Sequence, residues 1–174
     1  MTERENLLNE VVEIAREAGA AILKVYENED LGVSTKDDDS PLTRADMDAH
    51  NVIIERLAER TPDIPVHSEE SEGVDWQERR HWQRFWLVDP LDGTKEFINR
   101  NGEFTVNIAL VEHNRPTLGV VHVPARNTTY LGLAESGAWV ERDGERRAIQ
   151  ARPLGEKVVM VASRSHGSEK VDAL

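Results

Sequence analysis

A short apolar segment, Phe85-Trp86-Leu87-Val88, runs directly into Asp89-Pro90-Leu91-Asp92-Gly93-Thr94, and this junction constrains the fold more than any other stretch. Aromatic and β-branched residues in so short a run predict a buried strand that ends at Asp89. Pro90 has no N–H to give a neighbouring strand, so the ladder is expected to stop there. Asp89 then lies at a strand's carboxyl end, where open α/β sheets usually place ligands. Gly93 admits backbone conformations that a Cβ disfavours, and Thr94 follows as a candidate N-cap for a helix beginning near Lys95.

The junction delivers two carboxylates, Asp89 and Asp92, three residues apart. Pro65-Val66-His67-Ser68-Glu69-Glu70 is a second passage from apolar to acidic residues. Together the two can supply the all-oxygen cage that Mg²⁺ prefers when it acts on phosphates. Free N–H groups at the start of the helix would face a phosphate held there. Taken alone, Asp89 reads more readily as a turn or capping residue than as a ligand, because Asp-Gly after Pro is a common turn signal. The whole pattern, rather than any one acid, favours the cation site.

Charge narrows the partners. A formal net charge of −12 over 174 residues argues against a nucleic-acid polymer, whose phosphates would be repelled. A small phosphate ester stays compatible, because bound divalent cations reverse the local field. With no cysteine, disulfides, zinc–thiolate sites and thiol catalysis are excluded. The start, Met1-Thr2-Glu3-Arg4-Glu5-Asn6, lacks a signal-peptide pattern, and no apolar run of about eighteen residues is present. A cytoplasmic location is the expectation, with peripheral association at the cytoplasmic face of the inner membrane left open and no transmembrane segment.

Apolar residues at Leu7, Leu8, Val11, Ile14, Ala15, Ala18, Ile22 and Val25 predict a packing helix from about Glu5 to Tyr26. A loop or short hairpin follows to Ser40, with Asp37-Asp38-Asp39 read as a solvated polar turn rather than a cation site. A second helix is expected from Thr43 or Arg44 to about Glu59. Its Thr43-x-x-Asp46 matches a capping box, which alone would account for Asp46. Strands are expected at Thr105–Glu112, Leu118–Val123, Thr128–Ala134, Ala138–Arg142 and Arg146–Gln150. They are divided by turn signals at Asn114-Arg115-Pro116 and Asp143-Gly144, and the apolar run Val158–Ala162 follows. Two helices and then a meander of strands make the fold class α+β, in one domain.

The six histidines, His50, His67, His81, His113, His122 and His166, show no zinc-type pairing and read as packed or surface residues. Trp76, Trp82 and Trp86 read as core packing at a helix-to-strand junction; base stacking is disfavoured by the acidic surroundings.

Asp-Pro-Leu-Asp-Gly-Thr after a hydrophobic strand, with Ser68-Glu69-Glu70 upstream, resembles the signature of the inositol monophosphatase superfamily of Mg²⁺-dependent, lithium-sensitive phosphatases. Lys95-Glu96-Phe97-Ile98 and the continuation Arg100 to Leu110 are similar to the 3′(2′),5′-bisphosphate nucleotidase branch. Ser40 to Asp46, His81 to Trp86 and Ser163-Arg164-Ser165-His166 agree with it. The resemblance implies a layered α/β/α sandwich of the sugar-phosphatase type. It implies two or three Mg²⁺ ions held by Glu69, Asp89, Asp92 and the Leu91 carbonyl, with Asp89 bridging two of them. It makes Asp46 and Thr94 partners that orient and deprotonate water, with Glu69 also near that water. Substrate contacts would come from Glu69, Leu91, Asp92 and the amides of Gly93 and Thr94. Arg164 and His166 could approach the nucleotide or simply belong to a polar loop.

The substrate implied is adenosine 3′,5′-bisphosphate, cleaved to AMP and phosphate, with 3′-phosphoadenylyl sulfate as a second substrate, in sulfur assimilation and nucleotide recycling. Relatives continue into a second layer with a Trp-Asp motif. Residues 1–174 therefore read as the amino-terminal, metal-binding portion of such a phosphatase. Loss of that layer would expose apolar surface on the sheet and favour association; the oligomeric state itself is not fixed by the sequence. The competing readings are an inositol or sugar monophosphatase of the same superfamily, and a non-catalytic, truncated cation-binding module.

Overall fold

A computed structural model describes residues 2–36, 40–71, 73–156, 159 and 161 of the chain. The two long amphipathic helices form where the apolar spacing places them: α1 spans Glu3–Tyr26 and α2 spans Arg44–Arg60. Thr2 caps α1, its hydroxyl accepting from the Glu5 N–H while the Glu5 carboxylate takes the Thr2 N–H. Between the helices, β1 (Ser34–Thr35) and β2 (Pro41–Leu42) pair antiparallel, so the expected short hairpin forms. The triad Asp37-Asp38-Asp39 lies outside the described residues.

The remaining strands are β3 (Val66–Ser68), β4 (Arg84–Asp92), β5 (Thr105–Glu112), β6 (Arg115–Val123), β7 (Thr128–Leu133), β8 (Gly137–Arg142) and β9 (Glu145–Ile149). They make one seven-stranded sheet in chain order. Among the described residues only β3 and β4 run parallel; every other neighbour in the sheet is antiparallel, as short connections require. Two tight turns carry the sheet round: His113-Asn114 and Asp143-Gly144 all have positive φ, the signature of type I′ hairpins. The first of these corrects the turn expected at Asn114-Arg115-Pro116. Arg115 and Pro116 instead open β6, and Pro116 pairs with Val111 beside a ladder irregularity.

Helix α1 lies over β5, β6 and β7, and α2 lies over β4. Their apolar stripes meet the inward residues Trp86, Val88, Val106, Ile108, Leu118 and Val120 in a single core. The described residues thus supply a helix layer and a sheet. On the opposite face Leu87, Val121 and Tyr130 are exposed. Trp86 is fully buried, and its indole N–H donates to Thr61 Oγ1 at 3.0 Å. Trp76, expected in the core, is instead 62 % exposed at the start of the short α3 (Trp76–Arg79), with the Arg79 guanidinium over its ring. Of Val158–Ala162 only Val159 and Val161 are described; both are exposed and in no strand.

A cluster of three rings fixes the segment that follows β4. Tyr26, Phe97 and Phe104 pack with centroids 5.1–5.3 Å apart. Arg100 lies over Tyr26 and donates to the carbonyls of Tyr26 and Asn28, satisfying groups that the end of α1 leaves free. The loop leaving the sheet is thereby tied to the C-terminus of α1.

Candidate active site

Strand β4 does not end at Asp89 as the sequence suggested. It continues through Pro90 and Leu91 to Asp92, with a bulge. Asp89 pairs with Asn107 and Asp92 with Thr105, so two residues of β4 stand opposite the single Val106. The bulge has a direct chemical consequence. Residues three apart on a regular strand point to opposite faces, whereas the extra residue returns Asp89 and Asp92 to the same one. Pro90 and Leu91 are both turned inward and buried, and Pro90 costs no ladder hydrogen bond because the ladder is already interrupted there.

After Asp92 the backbone turns at Gly93, whose φ of +96° belongs to the region that disfavours a Cβ. A Cβ at this position would stand 3.0 Å from the Glu103 carbonyl oxygen. Gly93 is the N-cap of α4 (Thr94–Ile98), and Thr94 is its first helical residue rather than its cap. That correction frees the Thr94 hydroxyl. It lies 3.2 Å from Asp46 Oδ1 and 3.4 Å from the Leu91 carbonyl, and with one proton to give it makes the shorter bond to Asp46.

Asp46 is 1 % exposed. Its Oδ2 accepts from the Thr43 N–H at 2.7 Å and the Thr43 hydroxyl at 2.5 Å, completing the expected helix-start motif. One carboxylate therefore serves the start of α2 and Thr94 together. Burial pushes the Asp46 carboxyl above its ordinary range, and the hydrogen bonds from Thr43 and Thr94 oppose that shift without cancelling it.

Glu69, just past β3, completes a cavity of about 310 Å³ lined also by Asp89, Leu91, Asp92, Gly93 and Thr94. Burial, followed by the negative charges of Glu69 and Asp92, pushes Asp89 up to about 7; a hydrogen bond with Glu69 adds to the shift. Asp89 Oδ1 is buried and has no hydrogen-bond partner among the described residues. A buried carboxylate oxygen beside two further acids is held at high cost unless a proton or a cation joins it, so this donor set fits a hard divalent ion. Among the described residues, however, no group of three or more His, Cys, Asp or Glu closes around one point as a complete cage.

Two participants in this region were not singled out in the sequence. Lys36 reaches from beside β1 to Glu69 at 2.9 Å and Glu70 at 2.7 Å, placing one positive charge among the acids. Burial lowers its pKa, but the bonds to Glu70 and Glu69 more than offset this, and the net shift is upward. For the paired Glu70 burial prevails, and its carboxyl is raised despite Lys36. Asn107 donates to Asp92 Oδ2 at 3.1 Å. Neither has a local sequence signal, since each meets the site only through tertiary pairing.

Among the described residues no histidine lines the cavity between the acids. His50 bonds Ser68, His67 bonds Arg79 and His122 bonds Thr129, while His81 and His113 are exposed. His166 and Arg164, with the whole Ser163-Arg164-Ser165-His166 segment, lie outside the described residues.

Comparisons with known proteins place the chain in a family. The 3′(2′),5′-bisphosphate nucleotidase CysQ of Escherichia coli (strain K12) is 51 % identical over 166 residues, 95 % of this chain and 66 % of that protein. Its counterpart in Salmonella typhimurium (strain LT2) is 52 % identical over the same shares. The chain thus spans about two thirds of the length of the curated relatives it matches. The crystal structure of CysQ from Bacteroides thetaiotaomicron superposes with a TM-score of 0.80 at 36 % identity, covering 97 % of this chain and 66 % of that one. Extragenic suppressor protein suhB from Bartonella henselae gives 0.72 at 30 % identity, over 84 % and 55 %. A model of the inositol monophosphatase family matches residues 3–173, and the chain belongs to that family.

Proposed function

We propose that residues 1–174 carry the metal-binding and water-activating part of a phosphatase that removes the 3′-phosphate of adenosine 3′,5′-bisphosphate, giving AMP and phosphate. The observation that carries this reading is the meeting, in the lining of one cavity, of the acids Asp89 and Asp92, brought to one face by the bulge, with Thr94, whose hydroxyl is bonded to the buried Asp46 behind it. The branch is chosen on similarity, since the CysQ proteins compared are 36–52 % identical and suhB is 30 % identical. Phosphorylated nucleotides, including 3′-phosphoadenylyl sulfate, are accordingly preferred over inositol or sugar phosphates.

In this proposal Glu69, Asp89, Asp92 and the Leu91 carbonyl hold two or three Mg²⁺ ions. Held there, Mg²⁺ would supply Lewis-acid chemistry, lowering the pKa of an adjacent water and offsetting charge on phosphoryl and leaving oxygens. Thr94 already donates its proton to Asp46, so the lone pairs of its hydroxyl oxygen are available to orient a water. The water's oxygen attacks phosphorus, its proton passes towards Thr94 and Asp46, the P–O3′ bond breaks with its electron pair on the ribose oxygen, and that oxygen takes a proton from solvent water to become the 3′-hydroxyl of AMP. Burial raises the pKa of Asp46 above its ordinary value, which makes its carboxylate a stronger proton acceptor than an exposed one. The amides of Gly93 and Thr94 are offered to the phosphate.

Phosphate release from adenosine 3′,5′-bisphosphate, inositol monophosphate and fructose bisphosphate, each with Mg²⁺ and with a chelator, tests the reading. Mg²⁺-dependent release favouring the nucleotide is expected. Faster release from inositol monophosphate would move the chain to the other branch. No release from any substrate, with Mg²⁺ still bound, would leave a cation-binding module.

A further inference from the structure

We propose that Asn107 is a positioning residue of the acid cavity, its amide holding the Asp92 carboxylate for the cation; this rests on the divalent-cation reading above. Asn107 stands directly across the ladder from Asp89, and Thr105 directly across from Asp92. The amide bridges the two registers. Its Nδ2 donates to Asp92 Oδ2 at 3.1 Å while its Oδ1 accepts from the Thr105 hydroxyl at 3.0 Å.

The chemistry sets the direction of this chain of bonds. An ionised carboxylate only accepts, so the amide must turn its NH₂ towards Asp92, and the Thr105 hydroxyl then satisfies the oxygen that faces away. One Asp92 oxygen is engaged and the other remains for a cation. The amide achieves this without adding a positive charge that would compete for the site, unlike a lysine. Asp92 needs such a support because it is exposed at the end of a bulged strand, where the ladder fixes it on one side only.

Calorimetric titration of Mg²⁺ into the full 174-residue chain tests the proposal. Asn107→Ala is expected to weaken Mg²⁺ affinity about 10–100-fold, the usual effect of removing a group that orients a metal ligand. The urea midpoint without Mg²⁺ should stay close to that of the wild type. Thr105→Val keeps the amide but releases its orientation, and should produce a smaller loss in the same direction. If Asn107→Ala does not fold, Asn107→Leu, similar in size and without a donor, is expected to show the same weakened affinity. Wild-type affinity in the folded Asn107 variant, with affinity lost in Asp92→Asn, would overturn the role of Asn107 alone. Wild-type affinity in Asp92→Asn as well would instead overturn the cation reading on which it rests.

Discussion

The hydroxyl of Thr94 meets the buried Asp46 carboxylate at 3.2 Å, joining the first turn of α4 to the first turn of α2. Because Gly93, not Thr94, caps α4, loss of this hydroxyl removes one hydrogen bond and no helix cap. Thr94→Ala should therefore cost only about 1 kcal/mol of stability. As a lost proton-transfer group it should lower kcat by about 10²–10⁴. Urea unfolding beside phosphate release with Mg²⁺ saturating separates the two. A folded, Mg²⁺-loaded variant with near-normal kcat would leave Asp46 with only its role at the start of α2.

Gly93→Ala should damage the fold instead. The φ of +96° and the Glu103 carbonyl oxygen 3.0 Å from a new Cβ leave no relaxed position for the methyl group. A loss of roughly 1–3 kcal/mol is expected, read from the urea midpoint without Mg²⁺. An unchanged midpoint would show that the turn into α4 adapts easily.

His122 gives a pH dependence of stability away from the acids. Its ring is buried, with Nδ1 2.9 Å from Thr129 Oγ1. Burial first, and then the Arg16 charge, lowers its pKa to about 4 from 6.5. The unfolded chain takes up this proton near pH 6.5 and the folded chain only near pH 4, so the unfolded state binds more protons between the two. The contribution of His122 is present above that window and is lost as pH falls through it. Urea midpoints at pH 7, 5.5 and 4.5 should fall more steeply for the wild type than for His122→Gln. Parallel slopes would show that His122 titrates alike in both states.

Much of this was legible in the sequence, and what was missed has a physical reason. The stripes of α1 and α2 and the strand Thr105–Glu112 are set by which side chains must leave water, and local periodicity records that directly. The acids Glu69, Asp89 and Asp92 were legible as a pattern, but their geometry was not. Pro90 read as the end of a strand, whereas β4 continues across it because β5 gives it a partner at Asp92. No spacing rule shows that a bulge will bring residues three apart to one face. Lys36 and Asn107 were invisible for a related reason, since each reaches the acids from another strand or loop.

The most direct measurement is the electron paramagnetic resonance of Mn²⁺, a probe with the same preference for oxygen ligands as Mg²⁺, titrated against the wild-type chain and Asp89→Asn. Loss of the free-ion signal on adding wild-type protein, its recovery with excess Mg²⁺, and little loss of signal with folded Asp89→Asn are expected. Equal capture of Mn²⁺ by both proteins would contradict the assignment of the cation to the bulged acid pair.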